Sequence, residues 1–292
     1  MSQPGVAPIM NYLNSLSYAP FRGGDCAPNA YYLLNNYNPG YNADGTINTS
    51  TFTVPPSTVP TIADQLTSRG ISWRYYGEGW NSANPNSVYC NICNPFQYST
   101  AVMTSASGRA HIQDVTQLYT DVANGWLPSV AYIKPDGYLD GHPASSKIEL
   151  FEGFVQKIVD RVKADPELWK STAIFITVDE GGGYYDSGYV QPIDFFGDGT
   201  RIPLIVVSPY SEGGRVVHTC ADHVSVLKFI ERNWDLHPVS DRSRDNLPNP
   251  VATPDNPYVP TNGPAIGDLM SMFNFHSGDR DHDHDHDHGN QN

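Results

Sequence analysis

Two adjacent carboxylates, Asp179 and Glu180, stand immediately before Gly181-Gly182-Gly183 and directly after the apolar run Ala173–Val178. Neighbouring side chains on a strand point to opposite faces, but the glycines let the backbone turn at once, so the two carboxylates can converge. Held close, they repel one another unless a proton or a cation lies between them. Oxygen donors of this kind suit Mg²⁺, Ca²⁺ or Mn²⁺, and Zn²⁺ with histidine help. The plainer reading is a solvated acidic turn. Two histidines stand in comparable positions. His142, in Asp140-Gly141-His142-Pro143, occupies a turn just ahead of a helix. His223 follows Asp222 at the start of a helical pattern, where the positive end of the helix dipole favours a neutral ring ready to ligate. Each also has an ordinary reading, as a loop histidine and a helix-cap residue. His111, His218 and His237 carry no comparable argument.

These residues must be positioned by elements, and the pattern predicts an alternation of strands and helices. Residues 1–57 are loop-like, with Pro, Asn and Gly recurring too often for long periodic segments. Thr61–Arg69 is helical and stopped by Gly70, and Ile71–Tyr76 reads as a strand. Residues 77–110 form an irregular excursion, His111–Asn124 a helix, and Ser129–Ile133 a strand that runs into Lys134, Asp136, Asp140 and His142. Ser146 and Glu149 have the spacing of a capping box. Behind them Ile148, Phe151, Val155, Ile158, Val159 and Val162 share one helical face, which Asp165-Pro166 ends. Ala173–Val178 and Pro203–Val207 are continuous apolar runs, as in strands buried on both faces. Asp222–Trp234 returns to helical period. Such alternation predicts an α/β fold with a largely parallel central sheet, and ligands then sit beyond the carboxyl ends of the strands. The acidic pair and both histidines fall at such ends.

Composition narrows the partners. The formal charge of -14 comes from 17 basic and 31 acidic residues, with five Asp and one Arg in residues 277–292. Duplex nucleic acid and anionic membranes reward positive patches and are poor default partners. No apolar run approaches the roughly 20 residues of a membrane helix. The start, MSQPGVAPIMNYL, has no cationic region followed by an apolar one, so it is not a signal peptide. Of four cysteines, Cys90 and Cys93 form a CxxC without the strand-to-helix setting of a redox motif, and without a second CxxC or a His pair for zinc. A loop staple or buried thiols is the plain reading, and the even count leans towards an oxidising compartment. The Asp/His tail has metal-binding capacity but nothing to bury, which predicts no packed structure there.

FITVDEGGGYYD, GDGTRIPLIVVSPY and DHVSVLKFIERNW, in this order, resemble the bacterial phosphoesterase family of phospholipases C and acid phosphatases, and LDGHPASS resembles its His-Pro element. The resemblance spans roughly residues 60–275. It implies an alkaline-phosphatase-like α/β fold with helices on both faces of the sheet, and hydrolysis of phosphoric esters assisted by a divalent metal ion (Mg, Ca, Mn or Zn). Asp179 and Glu180 match the family's metal-binding acidic pair, and His142 and His223 match histidines of its phosphate pocket. The substrate implied is a small phosphate ester or a phospholipid head group. Family members open with a Glu-Asn…Ser-Phe-Asp type motif and a Ser or Thr nucleophile, and neither is found here. The expectation is therefore a C-terminal portion, incomplete at its N-terminus, of an exported enzyme, whose own activity is in doubt. Division into a loop-rich segment 1–59, an α/β domain 60–275 and a tail 276–292 follows. The competing class is a non-catalytic module in which the acidic pair holds a metal and the aromatic loops grip a ligand. Metal storage by the tail is a third reading.

Overall fold

The computed structural model describes residues 36–182, 186, 188, 199–211, 213–241 and 243–275. Cys26 and the Asp/His tail lie outside the described residues. In chain order the elements are α1 (Ile62–Ser68), β1 (Trp73–Gly77), α2 (Thr100–Met103), α3 (Ala106–Arg109), β2 (Ile112–Gln113), α4 (Val115–Ala123), β3 (Val130–Lys134), α5 (Ile148–Lys163), α6 (Pro166–Trp169), β4 (Ile174–Thr177), β5 (Leu204–Val207) and α7 (Val224–Asn233).

β1 lies between β2 and β3, and both neighbours run parallel to it, with Tyr75 opposite Ile112 and Tyr132. Alternation along β1 divides the core. Trp73 and Tyr75 pack with Ile62 and Leu66 of α1, Val102 and Met103 of α2 and Ile230 of α7. Tyr76, on the opposite face, packs with Val115, Leu118 and Val122 of α4 and Phe154, Ile158 and Val162 of α5. Helices therefore cover both faces of a parallel sheet, the α/β architecture expected from the alternation of elements. Each fully buried aliphatic or aromatic side chain contributes roughly 1.5–3 kcal/mol by leaving water. Asp121 of α4 is buried against this face but not unpaired: its Oδ2 accepts from Arg74 at 2.5 Å and from the Tyr76 hydroxyl at 2.6 Å. Without those donors a buried carboxylate would be costly.

Local differences from the sequence pattern have identifiable causes. His111–Asn124 is not one helix: Ile112–Gln113 pairs with β1, and Asp114 then caps α4 by accepting from Thr116 N–H at 2.9 Å. Ser146 does not close a capping box, because its hydroxyl donates to the Tyr138 carbonyl at 2.6 Å and Lys147 takes the N-cap place. The buried stripe of α5 is Phe154, Ile158 and Val162, whereas Ile148 is 53% exposed. The largest difference concerns the two apolar runs. β4 and β5 pair antiparallel, with Ile174 opposite Val207 and Thr177 opposite Leu204, in a two-stranded sheet of their own. Ile174 packs on the α4–α5 cluster, and the Phe175 ring lies 4.8 Å from that of Phe229 on α7, so both faces of β4 are touched. No further strand joins this pair among the described residues, so β4 is only half-buried and Ile205 of β5 is 55% exposed.

Cys90 and Cys93 form a disulfide across the 3-10 turn Asn91–Cys93, the loop staple of the plain reading. Among the described residues no helix is long and apolar enough to cross a membrane.

Candidate active site

β4 delivers the acidic pair. Beyond Thr177 and Val178 the chain reaches Asp179 and Glu180, both exposed, and turns at Gly182, whose φ of 63° is the left-handed region that glycine occupies without strain. Glu180 Oε2 accepts from Gly182 N–H at 2.9 Å, which closes the turn. A side chain at Gly181 would run into the Thr200 hydroxyl, so this glycine permits the close approach of the segment that precedes β5.

α7 delivers His223. Asp222, rather than His223, caps that helix: Asp222 Oδ1 accepts from Val224 N–H at 2.8 Å, and Asp222 N–H donates to the hydroxyl of buried Ser225 at 3.1 Å. His223 thus already has helical backbone angles, φ -56° and ψ -34°. Its ring reaches across to β4, with Nε2 3.0 Å from the Val178 carbonyl, one residue before Asp179. A carbonyl can only accept, so Nε2 carries a proton and Nδ1 is the ring nitrogen left for exchange.

The acidic pair and His223 line one open cavity of about 1170 Å³ at the end of β4. Its polar wall adds Arg201, His218 and Arg244, and its apolar wall includes Val216, Leu269 and Met272. Arg201 is held by Asp186, whose oxygens accept from its main-chain N–H at 2.6 Å and from Nε at 2.9 Å. That guanidinium holds the Asp186 carboxyl well below the usual carboxylate range. Arg244 meets Asp222 Oδ2 at 2.7 Å. His142 is placed elsewhere and does not line this cavity. It sits beyond the end of β3, exposed, with its main-chain N–H on Asp140 Oδ1 at 3.0 Å and its Nδ1 accepting from Ala144 N–H at 3.1 Å. Lys134 and Asp140 form an ion pair beside it at 3.3 Å. At the end of β1, Glu78 accepts from Asp136 N–H at 3.2 Å, and burial raises its carboxyl above the usual range despite that bond. The structure therefore joins three of the four candidate residues and leaves the fourth at a second strand end.

Arg201, His218 and Arg244 were not legible as site residues. Arg244 lies in an aperiodic run, Ser240–Asn246, and only the packing of its 3-10 turn brings it to the cavity. A divalent cation needs at least four donors, and Ca²⁺ six to eight. Among the described residues no group of three or more His, Cys, Asp or Glu comes together at a spacing suited to a metal. Among the described residues Asp179 and Glu180 thus supply two of the four or more donors that a divalent cation needs.

Comparison with known proteins decides the family. A model described as the phosphoesterase family matches residues 17–237. The chain belongs to the phosphoesterase family. The phosphoesterase match includes the acidic pair, both candidate histidines and all of α7. Non-hemolytic phospholipase C of Burkholderia pseudomallei is 28% identical over 305 aligned residues, covering 86% of this chain and 41% of that protein. Hemolytic phospholipase C of Pseudomonas aeruginosa is 28% identical over 80% of this chain and 34% of its own length. A probable acid phosphatase of Kluyveromyces lactis is 29% identical over 62% of this chain and 43% of its own length. This phosphoesterase chain therefore spans less than half the length of those curated relatives.

Proposed function

We propose that this chain carries part of a site that hydrolyses phosphoric esters, as the names of its phospholipase C and acid phosphatase relatives suggest. The observation that supports it is the meeting of β4 and α7: His223 rests on the Val178 carbonyl beside Asp179, at the mouth of a cavity large enough for an organic phosphate. In this reading the protonated cavity residues hold the phosphate oxygens, and Nδ1 of His223, unprotonated in the Nε2–H tautomer, takes a proton from the water that attacks phosphorus and passes it to the departing alkoxide as the ester P–O bond breaks. Asp179 and Glu180 are the donors this chain offers to a divalent ion such as Mg²⁺, Ca²⁺, Mn²⁺ or Zn²⁺. The apolar wall around Val216 and Leu269 takes the organic group, whether a simple alcohol or the glycerol side of a phospholipid. His142 is assigned to the second histidine role on the resemblance alone.

The test is hydrolysis of p-nitrophenyl phosphate and p-nitrophenyl phosphorylcholine, with and without each of the four metals, by the wild type, Asp179→Asn and His223→Ala. General acid catalysis is worth roughly 10²–10⁴-fold, so a loss in that range is expected for His223→Ala. Turnover that both variants keep unchanged rejects the assignment. A second reading, a binding module without catalysis, is favoured by the donor set at Asp179, which stops at two carboxylates among the described residues. It expects metal-dependent thermal stabilisation with no turnover.

A further inference from the structure

The basic groups on the cavity wall are Arg201, His218, His223 and Arg244. The His218 ring meets Tyr258 edge-on at 4.7 Å, and His223 rests on the Val178 carbonyl. An imidazole carries its charge over only part of the neutral range, whereas a guanidinium carries it throughout. Arg244 is tied to Asp222 and is the more enclosed of the two guanidiniums. Arg201 differs in its mount. Asp186, 15 positions earlier, accepts from its main-chain N–H at 2.6 Å, from Nε at 2.9 Å and from Nη2 at 2.5 Å. Asp186 is itself fixed: Oδ1 also takes the Gly188 N–H at 2.9 Å, and the side chain is only 10% exposed. The guanidinium lies so close over Gly188 that a Cβ there would overlap Cζ, Nε and Nη2. Asp186 thus occupies the side of the fork formed by Nε and Nη2. Among the described residues no group bonds Nη1, and the Arg201 side chain is 59% exposed at the cavity wall. Thr200, the preceding residue, packs on Gly181, so this mount stands beside the acidic pair.

We infer that Arg201 is the residue that anchors the substrate's phosphate, and that Asp186 and Gly188 are its positioning residues. This rests on the reading of the cavity as a phosphoester site. Two phosphate oxygens are met best by two N–H groups at a fixed spacing, which the planar end of a guanidinium supplies. A long, exposed arginine would otherwise lose its rotamer freedom on gripping the anion. Asp186 and Gly188 remove that freedom before the ligand arrives. The Asp186 carboxylate also offsets the positive charge, so the two effects oppose one another. Between exposed groups the charge effect is screened by water and salt, whereas the orientation of the fork is not. Orientation therefore wins, and the mount strengthens the grip on phosphate.

The experiment titrates inorganic phosphate into the full chain by calorimetry and measures kcat/KM on p-nitrophenyl phosphate, with thermal unfolding of every variant alongside. Arg201→Met keeps the stem and removes the charge. Asp186→Asn removes the carboxylate's charge at nearly constant volume, and Gly188→Ala keeps both charges while displacing the guanidinium. Arg201→Met is expected to weaken phosphate binding roughly 10- to 100-fold, the range of a charge-assisted hydrogen bond. Asp186→Asn and Gly188→Ala are expected to weaken it by at least about threefold, with kcat/KM falling in parallel. Gly188→Ala placed on Arg201→Met is expected to add nothing, because the residue it displaces is gone. Tighter phosphate binding in Asp186→Asn means that neutralisation wins and overturns the positioning role. So does wild-type affinity in Gly188→Ala, or a lower unfolding temperature in either variant with affinity unchanged. Wild-type affinity in Arg201→Met, or no phosphate binding by the wild type, overturns the anchor. If Asp186→Asn does not fold, Gly188→Ala decides on the same readouts. Phosphate binding that depends on Arg201 without any turnover rejects the hydrolytic reading instead and leaves the anchor standing.

Discussion

The imidazole of His223 rests on the main-chain carbonyl of Val178 at 3.0 Å, so a helix and a strand 45 positions apart share one hydrogen bond beside the acidic pair. That bond selects the Nε2–H tautomer and sets the orientation in which Nδ1 is left over. The two elements also share a core contact, Phe175 on Phe229, which holds the strand end and the helix start in a fixed relation.

Asp179 has no hydrogen-bonding partner among the described residues, whereas Glu180 is partly spent on Gly182 N–H. Asp179→Asn is therefore expected to weaken Mn²⁺ binding more than Glu180→Gln does. Changes one shell further out commonly cost 10- to 100-fold in metal affinity, so loss of a direct donor is expected to cost at least about tenfold. Isothermal titration of both variants reads this, and equal affinities in wild type and Asp179→Asn remove the residue from any metal site.

The turn after the pair is intolerant of a side chain for two separate reasons. Gly182 has φ 63°, where a residue with a Cβ pays about 1–2 kcal/mol. Gly181 is instead close to the Thr200 hydroxyl, with Thr200 Cβ at 3.4 Å from the position a new Cβ would take. Gly182→Ala is expected to lower the urea midpoint whatever stands at position 200. Gly181→Ala is expected to lower it too, and to be largely rescued by Thr200→Ala, which removes the offending oxygen.

Glu231 of α7 is buried beside Asp245 of the 3-10 turn, with Lys228 on its own helix and Tyr132 of β3 also facing it. Burial pushes the Glu231 carboxyl up to about 9, helped by its hydrogen bond with Asp245, while Lys228 opposes the shift. The folded state then holds a proton that the unfolded chain, with an ordinary carboxyl near 4.5, has already released. This contribution to stability is fully present below about pH 4.5 and is lost as pH rises towards about 9. Thermal unfolding from pH 5 to pH 9 is expected to show the decline, and Glu231→Gln, which cannot ionise, to flatten it. An identical slope in the variant would sink the assignment.

The disulfide Cys90–Cys93 closes a loop of four residues. Chain-entropy arguments give such a short loop about 2 kcal/mol. Cys90→Ser is expected to lose no more than that in urea denaturation, and dithiothreitol to bring the wild type to the same midpoint. A larger loss would mean that the staple also holds the packing of Asn94 and Tyr89 nearby.

Local chemistry made much of this legible from the residues alone. Gly70 and Asp165-Pro166 ended helices where the pattern placed them, because positive φ and a missing N–H are properties of single residues. The long α5, the β3 strand and the apolar runs around the acidic pair followed from periodicity for the same reason. Family motifs then singled out Asp179, Glu180, His142 and His223. What the chain could not announce was competition between distant groups. Ser146 has every property of a cap, and Tyr138 takes its hydroxyl; Ile112 has helical neighbours, and β1 takes its backbone. The antiparallel pairing of β4 with β5, the separation of His142 from His223 and the arrival of Arg244 at Asp222 are likewise decided by tertiary packing. A hydrogen-bonding group carries its capacity in its own chemistry, but which partner satisfies it depends on what the rest of the fold brings within 3 Å.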